Sequence, residues 1–321
     1  MLFNLTPIGM RQSRASPLKA RKPSSGAVSK PPGCVVVGLG IMGLAMAQHL
    51  LRAGWQVTGV DIQASRRTLL KNAGGYASAS LDELCADGGL FMLSLPSSLA
   101  LDNVADGICQ FAKRGSVVIE TSTLPLPDKE RVRDRLRAKG IHMLDCPISG
   151  TGTQAKAKDT VIYASGDRAA YRKAVPMFTQ VCRAYHYVGP FGDGMKLKML
   201  ANMLVAIHTV AAAEALTLAK ASGLNLKRVL ELLRTGAATS RMLDIRGPRM
   251  IAHDYRPMMR LELWQKDMGI ISGFASSHNC PTMLFSACTQ LYVAAMANGY
   301  ADADASVIYK ILQTTAALEV A

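Results

Sequence analysis

The chain has 321 residues, 49% hydrophobic and 19% charged, which excludes a disordered or fibrous protein and leaves room for two domains. Seven cysteines (34, 85, 109, 146, 182, 280 and 288) form no Cys-x-x-Cys pair, which argues against a disulfide scaffold or zinc knot and for a reducing compartment. The net charge of +14 includes six bases in an acid-free stretch, residues 1–33, leaving 31 bases against 23 acids elsewhere, a balance that suits anionic small molecules as well as nucleic acid.

Residues 1–33 are rich in Ser, Pro and basic residues, with no sustained apolar period. Such a stretch cannot bury enough apolar area to offset its ordering entropy, so it reads as a disordered basic arm. Its composition also fits an organellar transit peptide, which would make the protein mitochondrial rather than cytoplasmic, or a nucleic-acid arm. It lacks the apolar core of a secretory signal.

From Cys34 to Val188, short apolar runs alternate with amphipathic segments. The runs are Cys34–Val37, Gln56–Val60, Leu90–Leu95, Ser116–Ile119, Ile141–Leu144, Thr160–Ala164 and Tyr185–Val188. Helical patterns fall between them at Leu44–Arg52, Leu81–Ala86, Asp128–Lys139 and Arg168–Phe178. Strands alternating with helices predict a mostly parallel sheet covered on both faces. After Gly192 the strand runs stop. Helices are predicted over Met195–Ser222, Leu226–Leu233, Leu263–Ser277, Leu284–Asn298 and Ala303–Leu312. The predicted organisation is therefore arm 1–33, an α/β domain 34–194 and an all-α domain 195–321, joined by a long helix. The apolar stretch Met199–Ala219 contains Asn202, His208 and Glu214, and so reads as a buried helix rather than a membrane span.

The strand Val35–Val37 runs into Gly38-Leu39-Gly40-Ile41-Met42-Gly43 and then an apolar helix. In such a turn the first glycine permits the bend, and the second lets the backbone approach a pyrophosphate. The third allows close helix–strand packing, while free N–H groups at the helix start receive phosphate oxygens. A second strand ends at Asp61, where an acid grips the adenosine ribose hydroxyls. A carboxylate there repels a 2′-phosphate and favours NAD over NADP. Arg66 and Arg67 could receive that phosphate instead, or form a solvated helix face.

Ligands of such sheets bind outside the carboxyl ends of the strands. Ser94–Ser98, Glu120–Thr123 and Asp145–Gly152 lie at three of those ends, each also readable as ordinary turn chemistry. At the junction of the two domains, Lys198 and Asn202 are four apart and share one face of a largely apolar helix. Lysine donates or accepts a proton when partial burial lowers its pKa, although a lysine at a helix entry is commonly a surface residue. Lys196 lies off that face.

Gly38–Gly43, Asp145–Gly150, Gly192–Asn202 and Lys266-Asp267, in order over about residues 34–300, resemble the β-hydroxyacid dehydrogenases, the 3-hydroxyisobutyrate dehydrogenase-like enzymes. The resemblance implies a Rossmann-type doubly wound domain followed by a helical one. It implies Lys198 as general acid/base, with Asn202, Ser149, Gly150 and Ser122 binding the substrate. Leu95, Pro96, Thr123 and Lys266 would contact the cofactor together with Gly38, Leu39, Gly40, Ile41, Met42, Gly43 and Asp61. The implied reaction is NAD-dependent oxidation of a small 3-hydroxy acid of the 3-hydroxyisobutyrate, glycerate or threonate type. A homodimer or homotetramer and no metal are expected.

The chain departs from the family pattern in four places. Ser149-Gly150-Thr151-Gly152 replaces the usual Gly-Gly pair, Ala201 a second Asn, Glu120 an Asp, and Ala100 an Asn. Two alternatives stand beside this reading. One is an NADPH-dependent semialdehyde reductase of the same fold; the other is a non-enzymatic nucleotide-binding protein whose arm meets nucleic acid. Retention of Lys198 and Asn202 argues against the second. His208 is expected as a satisfied buried histidine and Cys146 as a small core or pocket-lining residue. The run Arg131, Arg133, Arg135 and Arg137 is expected as a solvated helix face. Asp244–Met250 is expected between helices, where it could supply an arginine to the substrate; it resembles segments of the threonate dehydrogenase branch.

Overall fold

The computed structural model describes residues 32–81 and 89–319. The arm before residue 32 and most of the helix expected at Leu81–Ala86 lie outside the described residues.

Six parallel strands form the frame: β1 Gly33–Val37, β2 Gln56–Val60, β3 Tyr76–Ser78, β4 Leu90–Leu93, β5 Val117–Glu120 and β6 His142–Asp145, in the order β3-β2-β1-β4-β5-β6. Val35 pairs with Thr58 on one side and with Phe91 on the other. The order reverses between β1 and β4, and a crevice opens there beyond the strand ends. Beyond β6 the sheet turns mixed. β8 Val161–Ser165 runs antiparallel to β6 and to the two-residue β7, Ile148–Ser149, and parallel to β9, Ala184–Gly189.

Because side chains alternate along a strand, each strand contributes to two cores. Cys34 and Val36 pack with Val117 and Ile119 under α1 (Ile41–Arg52) and, further along the sheet, α6 (Arg168–Val181). Val35 and Val37 pack with Phe91, Leu93 and Val118 under α3 (Ser98–Phe111) and α4 (Leu126–Ala138). Burial on both faces explains why these strands read as unbroken apolar runs. α2 (Ala64–Asn72) and the short α5 (Gly152–Lys156) complete this half. α3 escapes the helical pattern because Asp102, Asn103, Asp106 and Gly107 interrupt it; Ser97 caps its start by accepting from the Ala100 N–H.

The second half is helical. α7 (Asp193–Ala221) is long and apolar enough to cross a membrane by composition, yet here it is the element on which α9 (Arg241–Ile251), α10 (Leu261–Ser277), α11 (Met283–Ala297) and α12 (Ile308–Thr315) pack. α8 (Leu226–Leu233) sits against α7 and α9. Met195, Met199, Trp264, Met268, Phe285, Tyr292 and Tyr309 form the core, and the Tyr292 hydroxyl donates to the Ala206 carbonyl at 3.1 Å.

Two expectations change here. Asp244–Met250 lies inside α9, not between helices. Gly247-Pro248 suggests a break, but the Asp244 carbonyl that Pro248 cannot reach accepts from Arg234 Nη2 at 2.8 Å, so the helix continues. The helix expected at Ala303–Leu312 begins instead as a 3₁₀ turn over Ala305–Val307, capped by Asp304.

Candidate active site

A cleft of about 1660 Å³ runs from the ends of β1, β2 and β4 to α7, α9 and α10. Gly38 (φ 85°) makes the bend after β1, and a Cβ there would meet the Ser94 carbonyl oxygen at 2.2 Å. A Cβ on Gly43 would meet the Gly38 carbonyl oxygen at 1.9 Å, so α1 can press onto the turn only without a side chain. Gly40 differs: its Cβ would meet nothing within 4 Å, and a side chain there would fill the space in front of the α1 N terminus. α1 has no side-chain cap and no acid in its first turn, which leaves N–H groups and the positive end of the helix dipole for an anion.

Asp61 holds this turn. Its Oδ2 accepts from the Leu39 N–H at 2.7 Å and its Oδ1 from the Gln63 N–H at 2.8 Å. Each oxygen keeps a lone pair for a ribose hydroxyl. Arg67 is committed to the Asp61 and Ile62 carbonyls at 2.8 and 2.9 Å, whereas Arg66 lines the cleft. The open space at Gly40, the uncapped helix and the carboxylate at the β2 end fit a dinucleotide.

Leu95 and Pro96 line the next stretch, and the Leu95 N–H donates to Ser122 Oγ at 2.8 Å. The Ser122 N–H donates to Glu120 Oε1 at 2.8 Å, so this serine is clamped from both sides. Ser149 and Gly150 follow on the same rim; Gly150 (φ 143°) carries the left-handed turn between β7 and α5.

From the helical half, Lys198 and Asn202 enter from one face of α7 as their spacing predicts, and both are buried. Among the described residues, Lys198 Nζ has no hydrogen-bond partner, and its side chain lines the cleft. Burial pulls its pKa below the ordinary lysine value, and the charge of Asp267 opposes that pull. Asn202 Nδ2 donates to Asp267 Oδ2 at 3.0 Å. Burial pushes the Asp267 carboxyl up, against Lys266 and Lys198. Lys266 Nζ lies 3.6 Å from Asp267 Oδ1 and donates to the Thr123 carbonyl at 2.8 Å, linking α10 to the loop after β5.

All but two of the expected site residues thus share one cleft. Leu39 and Gly43 lie outside its lining: Leu39 is fully buried in the sheet core with its N–H taken by Asp61, and Gly43 packs on Gly38. His208 is also corrected, being half-buried on the cleft wall rather than in the core. Cys146 is a core residue, its thiol pushed well up by burial. Of the arginine run, Arg131 and Arg135 pair with Asp102 at 2.6 and 3.2 Å, and Arg133 stacks 4.9 Å over Phe191. Arg246 is buried, donating to Thr209 Oγ1 at 2.5 Å and lying 3.4 Å from Asp304. Asp267 is the residue that motif reading left without a role. It falls on the apolar face of α10 with Trp264, Met268 and Ile271, and an acid on such a face is a legible signal.

Comparison with known proteins agrees with this geometry. Residues 34–189 match the family model for the NAD binding domain of 6-phosphogluconate dehydrogenase, and residues 192–312 that for the NAD-binding of NADP-dependent 3-hydroxyisobutyrate dehydrogenase. The chain is 30% identical to the NAD-dependent L-serine dehydrogenase of Pseudomonas aeruginosa, over 87% of this chain and 97% of that one. It is 29% identical to the L-threonate dehydrogenase of Cupriavidus necator, over 86% and 94%. The crystal structure of 3-hydroxyisobutyrate dehydrogenase from Salmonella typhimurium superposes with a TM-score of 0.79 at 28% identity, covering 87% of this chain and 99% of that chain. With its glycine turn, strand-end cleft and helical half matched over most of the chain, the protein belongs to the β-hydroxyacid dehydrogenase family and is an NAD(P)-dependent hydroxyacid oxidoreductase.

Proposed function

We propose that the protein oxidises a small 3-hydroxy acid of the 3-hydroxyisobutyrate, glycerate or threonate type with NAD, Lys198 taking the hydroxyl proton. The observation that carries this reading is a buried lysine, free of hydrogen bonds among the described residues, lining the same cleft as the Ser149–Gly150 turn and a site that fits a dinucleotide. Bound through Gly38, Gly40, Ile41, Met42 and Asp61, with Leu95, Pro96, Thr123 and Lys266 alongside, the dinucleotide supplies the hydride acceptor.

Ser149 and the Gly150 backbone hold the substrate carboxylate, with Ser122 on the same wall. That anchoring sets the direction from which the C–H presents itself. Asn202, steadied by Asp267, orients the hydroxyl toward Lys198. Lys198 removes the hydroxyl proton as a neutral amine, which its desolvated position favours. In the reverse direction the ammonium returns the proton to the carbonyl oxygen.

Asp61 supports NAD, and the relatives named for L-threonate and L-serine support a polar 3-hydroxy acid. A second reading, NADPH-dependent reduction of a semialdehyde, draws on Arg66 beside Asp61. Exposed Leu200, Leu204 and Leu218 on α7 support assembly into a homodimer or homotetramer, checked by light scattering. Free cysteines among the described residues suit a cytoplasmic setting.

The test follows NADH absorbance with L-threonate, L-serine, glycerate, 3-hydroxyisobutyrate and 3-hydroxybutyrate, NAD and NADP side by side, and Lys198→Ala as control. Turnover lost in the variant is expected. Turnover that persists in Lys198→Ala removes the proposed role of Lys198.

A further inference from the structure

One buried group of charges that this chemistry leaves unused lies at the ends of β5 and β6. Lys129 lies on the apolar face of α4 with Val132 and Leu136, and it is wholly buried. Its ammonium is 2.6 Å from Glu120 Oε2 at the end of β5 and 2.7 Å from Asp145 Oδ1 at the end of β6. Both carboxylates are wholly buried too. Burial pulls the lysine pKa down, but the charges of Asp145 and Glu120 outweigh it and hold Lys129 protonated.

Each carboxylate spends its second oxygen on an element that goes on to line the cleft. Asp145 Oδ2 accepts from the Met195 N–H at 2.7 Å, in the first turn of α7 and one turn before Lys198. The same oxygen accepts from Ser165 Oγ at 3.2 Å, and Ser165 Oγ accepts from the Gly194 N–H at 3.0 Å. Glu120 Oε1 accepts from the Ser122 N–H, next to Thr123, whose carbonyl receives Lys266. One cation against two anions leaves a surplus negative charge, which the positive end of α7 offsets. Gly194 permits the close approach, since a Cβ there would meet the Tyr163 carbonyl oxygen at 2.4 Å and that of Asp145 at 2.8 Å.

We propose that Lys129 is a positioning residue: by pairing with Glu120 and Asp145 it holds Lys198 and the Ser122–Thr123 segment in register across the cleft. This rests on the reading of Lys198 as the proton-transfer group. A lysine that only stabilised the fold would change the amount of folded protein, not the behaviour of Lys198 within it.

Lys129→Met and the milder Glu120→Gln, made in the full chain, separate the two roles. Folded fraction is followed by circular dichroism. With whichever panel substrate turns over, kcat per folded molecule is expected to fall about tenfold to a hundredfold in Lys129→Met, and less in Glu120→Gln, with KM little changed. A second readout needs no turnover: competitive acetylation of Lys198 by acetic anhydride across pH, followed by mass spectrometry. The Lys198 labelling midpoint or rate is expected to shift at least about threefold in Lys129→Met and in the same direction in Glu120→Gln. If Lys129→Met does not fold, Glu120→Gln decides on both readouts. Folded variants that label Lys198 and turn over within about twofold of the parent overturn the proposal. If the parent turns over no panel substrate, the catalytic reading fails while the acetylation profile alone still decides whether Lys129 positions Lys198.

Discussion

The strand half meets the cleft largely with backbone, a glycine turn, uncapped N–H groups at α1 and the loops that leave β4 and β5, to which Asp61, Ser122 and Ser149 add side chains. The helical half meets it with side chains, Lys198 and Asn202 from α7 and Lys266 from α10, of which Asn202 and Lys266 are held by partners far away in sequence. The first wall therefore recognises what dinucleotides have in common, phosphates and ribose, and tolerates little change in main-chain geometry. The second wall carries the proton chemistry on the proposed reading of Lys198, and it can be altered one side chain at a time.

Substitutions that strike one wall and spare the other test that division. The largest effect is expected from Lys198→Ala: kcat falls about 10²–10⁴-fold, while the cofactor dissociation constant, read by fluorescence titration, stays near the parent value. A comparable loss of cofactor affinity would show that the walls are not separable. Next comes a pair of glycine substitutions. Gly43→Ala places a Cβ 1.9 Å from the Gly38 carbonyl oxygen and is expected to cost about 1–3 kcal/mol of stability, seen as a lower denaturation midpoint. Gly40→Ala meets no atom, so stability should hold while cofactor affinity drops about tenfold or more.

Asp61→Asn should narrow the preference between NAD and NADP by about tenfold, because a neutral amide no longer repels a 2′-phosphate that Arg66 can meet. An unchanged ratio of kcat/KM for the two cofactors would assign the preference elsewhere. The smallest effect is expected from Asp267→Asn, about tenfold or less in kcat. Asp267 raises the Lys198 pKa, so its neutralisation lowers it further. Oxidation needs the neutral amine and therefore rises with pH through the Lys198 pKa. The rising limb of the pH–rate profile should move to lower pH in Asp267→Asn.

Much of the strand half was legible in the sequence because its signals are local. Gly38–Gly43 sits between a strand and a helix, and buried parallel strands leave continuous runs such as Val117–Ile119. What escaped was set by contacts between distant residues. Gly247-Pro248 reads as a break because nothing nearby announces that Arg234 satisfies the Asp244 carbonyl. Leu39 lies in the glycine turn, but its side chain goes to the sheet core, a packing role that the motif does not announce. In the site, Lys198 and Asn202 were visible as a four-residue pair, but residues alone left Lys198 open to a surface role. Asp267 was visible within the Lys266-Asp267 pair but without a role, and Lys129 was not singled out; both are charges on otherwise apolar helix faces whose partners Asn202, Glu120 and Asp145 lie on other elements. His208 shows the converse, since its place in an apolar stretch suggests the core while the cleft takes one side of that helix.

α7 has a further consequence. At 1.5 Å per residue its 29 residues extend about 43 Å, beginning against the ends of β6 and β8 and continuing as the spine of the helical core. Neither half has a complete interior without it: the strand half loses the cap on Asp145 and Ser165, and the helical half loses Met195 and Met199. The two halves should therefore melt as one cooperative unit, giving a single calorimetric endotherm, and a chain severed after Gly192 should leave the strand fragment, stripped of the α7 cap on Asp145 and Ser165, unable to fold alone.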